Sequence, residues 1–185
     1  MMNHIDISSV LRQTLACDLY SNLVTRPTGA AVRGQIEVLL GETAERALTI
    51  IDFSQVSMID FSCADEVVAK LLIRYADDTR PHDAYFLFRG VSEHHWDAIE
   101  AVLERHGLAL ALEQDDGVQL MGVLSDDERR AWDATYRLGK VDANDLAAEI
   151  QMSVGVAQET LDVLAQRRLV MCADGEYVAI GRNNG

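Results

Sequence analysis

Lysine is nearly absent from this chain: only Lys70 and Lys140 occur among its 185 residues. Arginine does not make up the difference, because 16 Lys and Arg stand against 30 Asp and Glu, which gives a formal net charge of −14. So acidic a surface repels the phosphates of nucleic acids and anionic membranes, and it favours a basic protein partner. The composition therefore disfavours a protein that binds nucleic acids or membranes through charge alone.

Cysteine is also scarce, and long apolar runs are missing. Cys17, Cys63 and Cys172 form an odd, widely spaced set, which argues against a disulfide framework and for buried thiols in a reducing compartment. No apolar run approaches the roughly 18 residues of a membrane helix, and the N-terminus lacks the basic start and apolar core of a signal peptide. We therefore expect a cytoplasmic protein that does not enter the membrane.

Catalytic motifs are missing as well. The chain contains no GxGxxG, P-loop, GxSxG or HExxH pattern. Adjacent His94 and His95 would point about 100° apart on a helix, with no third ligand nearby, so they do not indicate a metal site. Asp52 ends a predicted strand, where carboxylates often act in α/β enzymes, but no His, Lys and Ser constellation accompanies it. We expect no enzymatic activity, no metal and no cofactor.

Residues 48–75 contain the clearest structural pattern. Residues 48–53 form a short, β-branched apolar run that is typical of a buried strand. After a loop at 54–61, apolar residues recur from Ala64 to Tyr75 at the spacing of a helix with one buried face. Ser62 stands where this helix begins, with Asp65 three residues later, so the pattern predicts Ser62 as the N-cap. The result is a strand, an exposed loop and a helix, with a hydroxyl at the junction.

The rest of the first 124 residues alternates strands and helices, which favours an α/β fold with a parallel or mixed sheet. Pro27 predicts a break at residues 25–29. Ser92 and Gly107 are the expected ends of one helix. Strands are expected at residues 3–7, 84–88, 108–112 and 118–124, and helices at residues 10–19 and 30–40.

The loop and the start of the helix resemble the motif of a known protein family. Residues 52–62 read D-F-S-Q-V-S-M-I-D-F-S, which resembles the conserved loop of STAS domains, the anti-sigma-factor-antagonist fold. The continuation F-S-C-A-D-E is similar to the STAS-like branch that ends S-F-A-D-E, and Leu23-Val24-Thr25-Arg26 also fits that branch. The resemblance implies a regulator that binds an anti-sigma-type or histidine-kinase-like ATPase. It implies partner contacts at Asp60, Phe61, Ser62, Asp65 and Glu66.

The same resemblance makes Ser62 a candidate phospho-acceptor. A phosphate at a helix start would lie against free amides and the positive end of the helix dipole. The alternative is that Ser62 serves only as an N-cap, whose loss costs about 1 kcal/mol. Both roles remain open at this point.

The pattern changes from strands to helices at Leu124, so we place a boundary there, between domains 1–124 and 125–185. Ser125 and Glu128 form a capping box, and Asp142 and Ser153 are further expected caps. Asp174-Gly175 is a strong hairpin signal. Three short helices followed by a β-hairpin resemble a winged-helix domain, a helix-turn-helix arrangement whose third helix usually reads DNA.

Charge argues against that DNA role. Residues 125–185 hold seven basic and eleven acidic side chains. A local patch could still contact DNA, and its candidate residues are Arg129, Arg130, Arg167, Arg168 and Gln158. We expect protein or intramolecular contact for this half, since charge decides non-specific DNA affinity. The alternatives are a DNA-binding transcription factor with a STAS-like sensor and, third, a small-molecule-binding or enzymatic α/β domain. The oligomeric state does not follow from the sequence.

Overall fold

The first part of the chain alternates strands and helices in the computed structural model, which describes residues 2–6, 22–42 and 47–182. The helix expected at residues 10–19 lies outside the described residues. A π-helical segment, Asp65–Ala69, joins the short helix Phe61–Ala64 directly to the helix Lys70–Ala76. The elements are β1 (Met2–Asp6), β2 (Asn22–Leu23), α1 (Arg26–Gly41), β3 (Ala47–Asp52), β4 (Met58–Ile59), α2 (Phe61–Ala64), α3 (Lys70–Ala76), β5 (Ala84–Arg89), α4 (Glu93–His106), β6 (Ala109–Gln114) and β7 (Gly117–Gly122).

The second part contains three helices and a hairpin. Ser125, Asp142 and Ser153 cap these helices as predicted, because each side-chain oxygen accepts a backbone N–H of the first turn. The elements are α5 (Asp126–Leu138), α6 (Ala143–Ile150), α7 (Val154–Gln166), β8 (Val170–Ala173) and β9 (Glu176–Ala179). The protein is therefore mixed α/β, which confirms the predicted fold class at that level.

A central sheet has the strand order β1-β3-β5-β6-β7. β1, β3, β5 and β6 run parallel, and β7 is an antiparallel edge strand paired with β6. Parallel neighbours need crossovers, and helices supply them here. The register places Asp52 opposite Arg89 and Arg89 opposite Glu113, so charged side chains mark the carboxyl ends of three neighbouring strands.

A second, very short ladder was not predicted. β2 pairs in parallel with β4, with Asn22 opposite Met58 and Leu23 opposite Ile59. Asp60 N–H also donates to the Leu23 carbonyl at 2.9 Å. The loop expected at residues 54–61 is therefore tied to the segment that leads into α1.

Helices α1 to α4 cover one face of the central sheet. Side chains that alternate along the strands, such as Ile51, Phe86 and Leu110, point into this layer. They pack against buried positions of the helices, including Ile36, Leu71 and Ile99. This layer is the core that the helical periodicity of the first part predicts.

The C-terminal helices cover the opposite face. The intervening strand positions belong to a second apolar cluster with residues of α5 to α7, among them the fully buried Trp132. Its sheet members are Ile50, Tyr85, Leu87, Ala109, Ala111 and Leu120. The boundary at Leu124 therefore separates two sets of elements, but the second set completes a core that the sheet begins.

Helix α1 begins earlier than predicted, at Arg26 and not at residue 30. Pro27 lies in the first turn of α1, where its missing N–H would have no helical partner in any case. The break expected at residues 25–29 is therefore wrong. The last helical residue is Gly41, one residue beyond the expected end.

Gly29 is the point at which α1 crosses α2. A Cβ on Gly29 would lie 2.9 Å from Cys63 Cα and 3.0 Å from Glu66 Cβ. We expect Gly29→Ala to lower the free energy of unfolding by about 1–3 kcal/mol, because the two helices must separate. Gly34→Ala is the matched control, since a Cβ there meets nothing within 4 Å; it should raise stability by up to about 1 kcal/mol. Urea unfolding measures both, and equal effects would contradict the close crossing.

Within the residues described, no helix combines the length and the apolar character that crossing a membrane requires.

Candidate functional site

The helix after the loop begins two residues earlier than predicted, and its cap is Asp60. Asp60 Oδ1 accepts the Cys63 N–H at 2.8 Å, while Ser62 lies inside the first turn. The N-cap role assigned to Ser62 is therefore wrong. The physical reason is that Asp60 is an equally good cap two residues upstream, so the helix starts there instead.

Asp60 also organises its surroundings. Its Oδ1 accepts the Ser62 hydroxyl at 2.8 Å, and its Oδ2 accepts the Thr25 N–H at 2.9 Å. Partial burial would raise the pKa of Asp60, but the hydrogen bonds from Thr25, Cys63 and Ser62 outweigh it and hold that pKa below the usual aspartate range. Both carboxylate oxygens are thus engaged within the chain, so Asp60 positions the loop, and its contact with a partner stays a prediction.

Thr25 has an unusual backbone conformation, with φ at 74° and ψ at 141°. A β-branched residue at positive φ is a true outlier and costs on the order of 1–3 kcal/mol. Hydrogen bonds hold it there: besides the bond to Asp60, its carbonyl accepts the Cys63 thiol at 2.8 Å and the Gly29 N–H at 3.2 Å. Backbone strain concentrates at functional sites, so Thr25 marks this junction as a candidate.

Cys63 is a buried structural thiol, as predicted, and burial raises its pKa to about 12. Cys172 is half-buried, and Cys17 lies outside the described residues.

Two apolar side chains are exposed in the segment that leads into Ser62. Met58 is 46% exposed and Phe61 is 37% exposed, and Arg105 of α4 lies over the Phe61 ring at 5.5 Å. Ser62 itself is half-buried. We call Thr25, Met58, Phe61 and Ser62 the junction surface. Exposed apolar groups around a polar centre are typical of sites that bind another protein.

Asp65 and Glu66 are not part of that surface, and their assignment as partner contacts is wrong. They are 6% and 2% exposed, and the Arg26 Nη1 atom lies 2.7 Å from an oxygen of each. Arg33 Nη1 lies 3.0 Å from Glu66, and Lys70 also pairs with Glu66. Buried charges require such partners, so this pair ties α2 to α1.

Asp65 and Glu66 open a π-helical segment. Single π-turns of this kind are frequently found at functional sites. On the other side, His106 Nε2 lies 2.7 Å from Asp65 Oδ1. Burial opposes ionisation, but Arg26 and His106 hold the pKa of Asp65 below its usual range, and Lys70, Arg26 and Arg33 do the same for Glu66.

The lowered pKa values of Asp65 and Glu66 predict that the protein loses stability in acid. A carboxyl group whose pKa is lower in the folded state than in the unfolded state stabilises the folded protein. This stabilisation is complete above the unfolded-state pKa, near 4, and is lost as the pH falls through the folded-state pKa. We therefore expect the urea midpoint to drop steadily below about pH 4.5. Glu66→Gln should flatten that decline, and an unchanged slope in the variant would contradict the role given to Glu66.

Two other candidates from the sequence have structural roles. The His95 ring is buried; its Nδ1 accepts the Ser92 N–H at 3.0 Å, so its Nε2 donates to the Val56 carbonyl at 2.8 Å. Burial lowers the pKa of His95. Asp52 pairs with Arg89 at 2.9 Å at the carboxyl end of the sheet. Among the described residues, no three His, Cys, Asp or Glu side chains form a group suited to a metal ion.

Arg168, a candidate DNA contact, is buried, so that assignment is wrong. Its Nε donates to the Tyr75 carbonyl at 2.9 Å, its Nη1 to the Tyr85 hydroxyl at 3.2 Å, and its Nη2 lies 3.1 Å from Asp83. The guanidinium also stacks over the Tyr85 ring. No local sequence pattern indicates these contacts, because the three partners lie more than 80 residues away.

Arg167 is likewise engaged within the chain. Its Nη1 lies 2.6 Å from Glu128, and its Nη2 donates to the Gly107 and Val123 carbonyls. Successive arginines therefore fasten α7 to the sheet layer from two sides. The Arg167 side chain is still 22% exposed, so its role as a DNA contact stays a prediction.

The remaining DNA candidates are exposed but dispersed. Arg129 donates to the Leu120 carbonyl at 3.3 Å, and Arg130 to the Ile150 carbonyl at 2.7 Å. Gln158 on α7 donates to Asp162 and to the Tyr177 hydroxyl. The basic patch proposed from the sequence therefore loses Arg168, which is buried.

Sequence reasoning missed Thr25, Arg26 and His106 as members of the site. Leu23-Val24-Thr25-Arg26 had been matched to the STAS-like branch, which was a usable signal. Pro27 nearby suggested a break and diverted the interpretation. Nothing in the sequence connected His106 to Asp65, because that contact depends on how α4 packs.

No protein-family profile matches the chain, and no curated protein is significantly similar to it. Function must therefore be inferred from the side chains themselves.

Proposed function

We infer that this chain is a non-enzymatic cytoplasmic regulator with a STAS-like sheet and helices. Its junction surface would bind a partner protein of the anti-sigma-type or histidine-kinase-like ATPase class. The C-terminal helices and hairpin, winged-helix-like in order, would serve as a docking module and not as a DNA reader. The observation that carries the proposal is the exposure of Met58 and Phe61 in the segment that leads into Ser62.

Preorganisation supports this role. Thr25, Asp60 and Cys63 hold the junction in one geometry, and the buried pair Asp65–Glu66 anchors the helix behind it. A surface that is rigid before binding loses less conformational entropy when a partner docks. An exposed aromatic ring such as Phe61 is the kind of residue that contributes most to protein interfaces.

Phosphorylation of Ser62 would act as a switch on this surface. The Ser62 hydroxyl donates to Asp60, whose low pKa keeps it ionised. A phosphoryl group removes that donor and adds a charge of about −1.5 to −2 beside the carboxylate. The repulsion would disrupt the cap of α2 and change the surface that the partner meets.

Capture experiments with matched variants test the proposal. Wild-type protein immobilised in a lysate of its source should retain a specific partner, which is then purified and titrated by calorimetry. Phe61→Ala should weaken that complex by about tenfold or more, as hot-spot truncation does. Ser62→Asp should weaken it and Ser62→Ala should not. Val38→Ala is the control, since Val38 is 55% exposed on a different helix. Equal affinity for wild type and Phe61→Ala would overturn the proposal.

A further inference from the structure

The outward face of α7 is a second exposed surface, separate from the junction. Ala157, Leu161 and Leu164 of this helix point into the core. On the outside, Val156 and Val163 are 42% and 41% exposed. They lie seven residues apart with Glu159 between them at helical spacing, so these three side chains share one face of the helix. We call Val156, Glu159, Asp162 and Val163 the α7 surface.

The charged side chains of the α7 surface are all acidic. Residues 141–166 and 169–181 contain no Lys, Arg or His. Within the described part of the chain, no ion pair involves Glu159 or Asp162, and the Asp162 carboxylate accepts only the neutral Tyr177 hydroxyl and Gln158 amide. The nearest hairpin tip adds the exposed Asp174. Aliphatic side chains thus stand beside uncompensated negative charge.

The two arginines that follow α7 cannot neutralise this face. Arg167 and Arg168 are held on the opposite side by Glu128 and Asp83. Lys140 and Arg137 are paired with Glu176 and Glu149. These four basic side chains are therefore already paired with acidic residues of the chain.

We propose that the α7 surface binds a basic amphipathic helix of a partner protein. Valine side chains would meet its apolar stripe, while Glu159 and Asp162 would face its Lys or Arg residues. Duplex DNA would be repelled, because it offers phosphates and no apolar surface. This proposal does not depend on the junction surface, and the residues tested differ.

Fluorescence anisotropy with a labelled leucine–lysine amphipathic helical peptide tests the proposal on the full chain. Val163→Lys should raise the Kd by about tenfold or more, and Glu159→Gln by about threefold. The controls are Val38→Lys and Glu104→Gln, at exposed positions on other helices, which should leave the Kd within about twofold. Circular dichroism checks that each variant is folded.

Three results would overturn the proposal. The first is an absence of peptide binding by the wild type. The second is equal Kd values for Val163→Lys and Val38→Lys, which would show diffuse attraction to an acidic protein. The third is duplex DNA that binds the wild type and displaces the peptide. A scrambled leucine–lysine peptide should bind at least about tenfold more weakly, because it lacks the apolar stripe.

Discussion

Arg168→Ala is expected to lower the free energy of unfolding by about 2–4 kcal/mol, since it leaves buried polar groups without partners. The Tyr75 carbonyl lies in the last turn of α3, where carbonyls have no helical partner, and Arg168 supplies its hydrogen bond. The Tyr85 hydroxyl loses a donor and its ring loses a stacked cation. Asp83 keeps its ion pair with Arg80, so the expected loss of stability is smaller than for a buried carboxylate left without any partner.

The backbone of Arg168 strengthens this expectation. It follows α7 at φ 62°, and the Leu169 N–H donates to the Leu164 carbonyl at 2.9 Å, which is the helix ending that usually contains glycine. The backbone of an arginine is strained at this position, and the distant contacts of its side chain compensate for that strain. Arg168→Gly should therefore be less destabilising than Arg168→Ala, because glycine relieves the strain.

Urea unfolding measures these changes. Arg130→Ala serves as the control, since this side chain is 56% exposed, and its loss should cost no more than about 1 kcal/mol. A loss below about 1 kcal/mol for Arg168→Ala would mean that the buried network contributes little.

Removal of residues 125–185 is expected to abolish independent folding of the remaining chain. It would uncover the second sheet face, including Tyr85, Leu87 and Leu120, which are each at most 8% exposed in the whole protein. A sheet face of that size in water promotes aggregation. The fragment 1–124 should therefore be insoluble or bind a dye for exposed apolar surface, as judged by gel filtration and fluorescence.

The opposite outcome is equally informative. A monomeric fragment 1–124 with a cooperative unfolding transition would show that the first part is an autonomous domain, as the boundary at Leu124 predicts. In that case the C-terminal helices would pack against the sheet without being required for its folding. The Arg168 variants would then be expected to have small effects.

Local signals predicted most of the elements. Hydrophobic periodicity located α2 to α7, and cap residues such as Ser125 and Asp142 located helix starts, because both depend on neighbours within one turn. The uninterrupted apolar run at residues 84–88 is typical of a strand buried on both faces. Such a strand requires an apolar layer on each side, but its sequence does not identify the C-terminal helices as one of them.

The candidate site was harder to predict for a physical reason. Phe61 and Ser62 belong to a local motif, whereas the burial of Asp65 and Glu66 depends on Arg26 and on the helix crossing at Gly29. Charged residues are usually exposed, so a sequence favours the wrong assignment wherever distant partners bury them. Arg168 was misassigned for the same reason.

We infer that both sheet faces belong to one folded body, which carries the junction surface and the α7 surface together. The two tryptophans report on the two layers: Trp96 packs against the first cluster and Trp132 lies in the second. Trp96→Phe and Trp132→Phe each leave one reporter, and urea unfolding is followed by fluorescence and by circular dichroism in each variant. The claim predicts that the two signals coincide within each variant. A Trp132 transition clearly separated from the circular dichroism transition would contradict it.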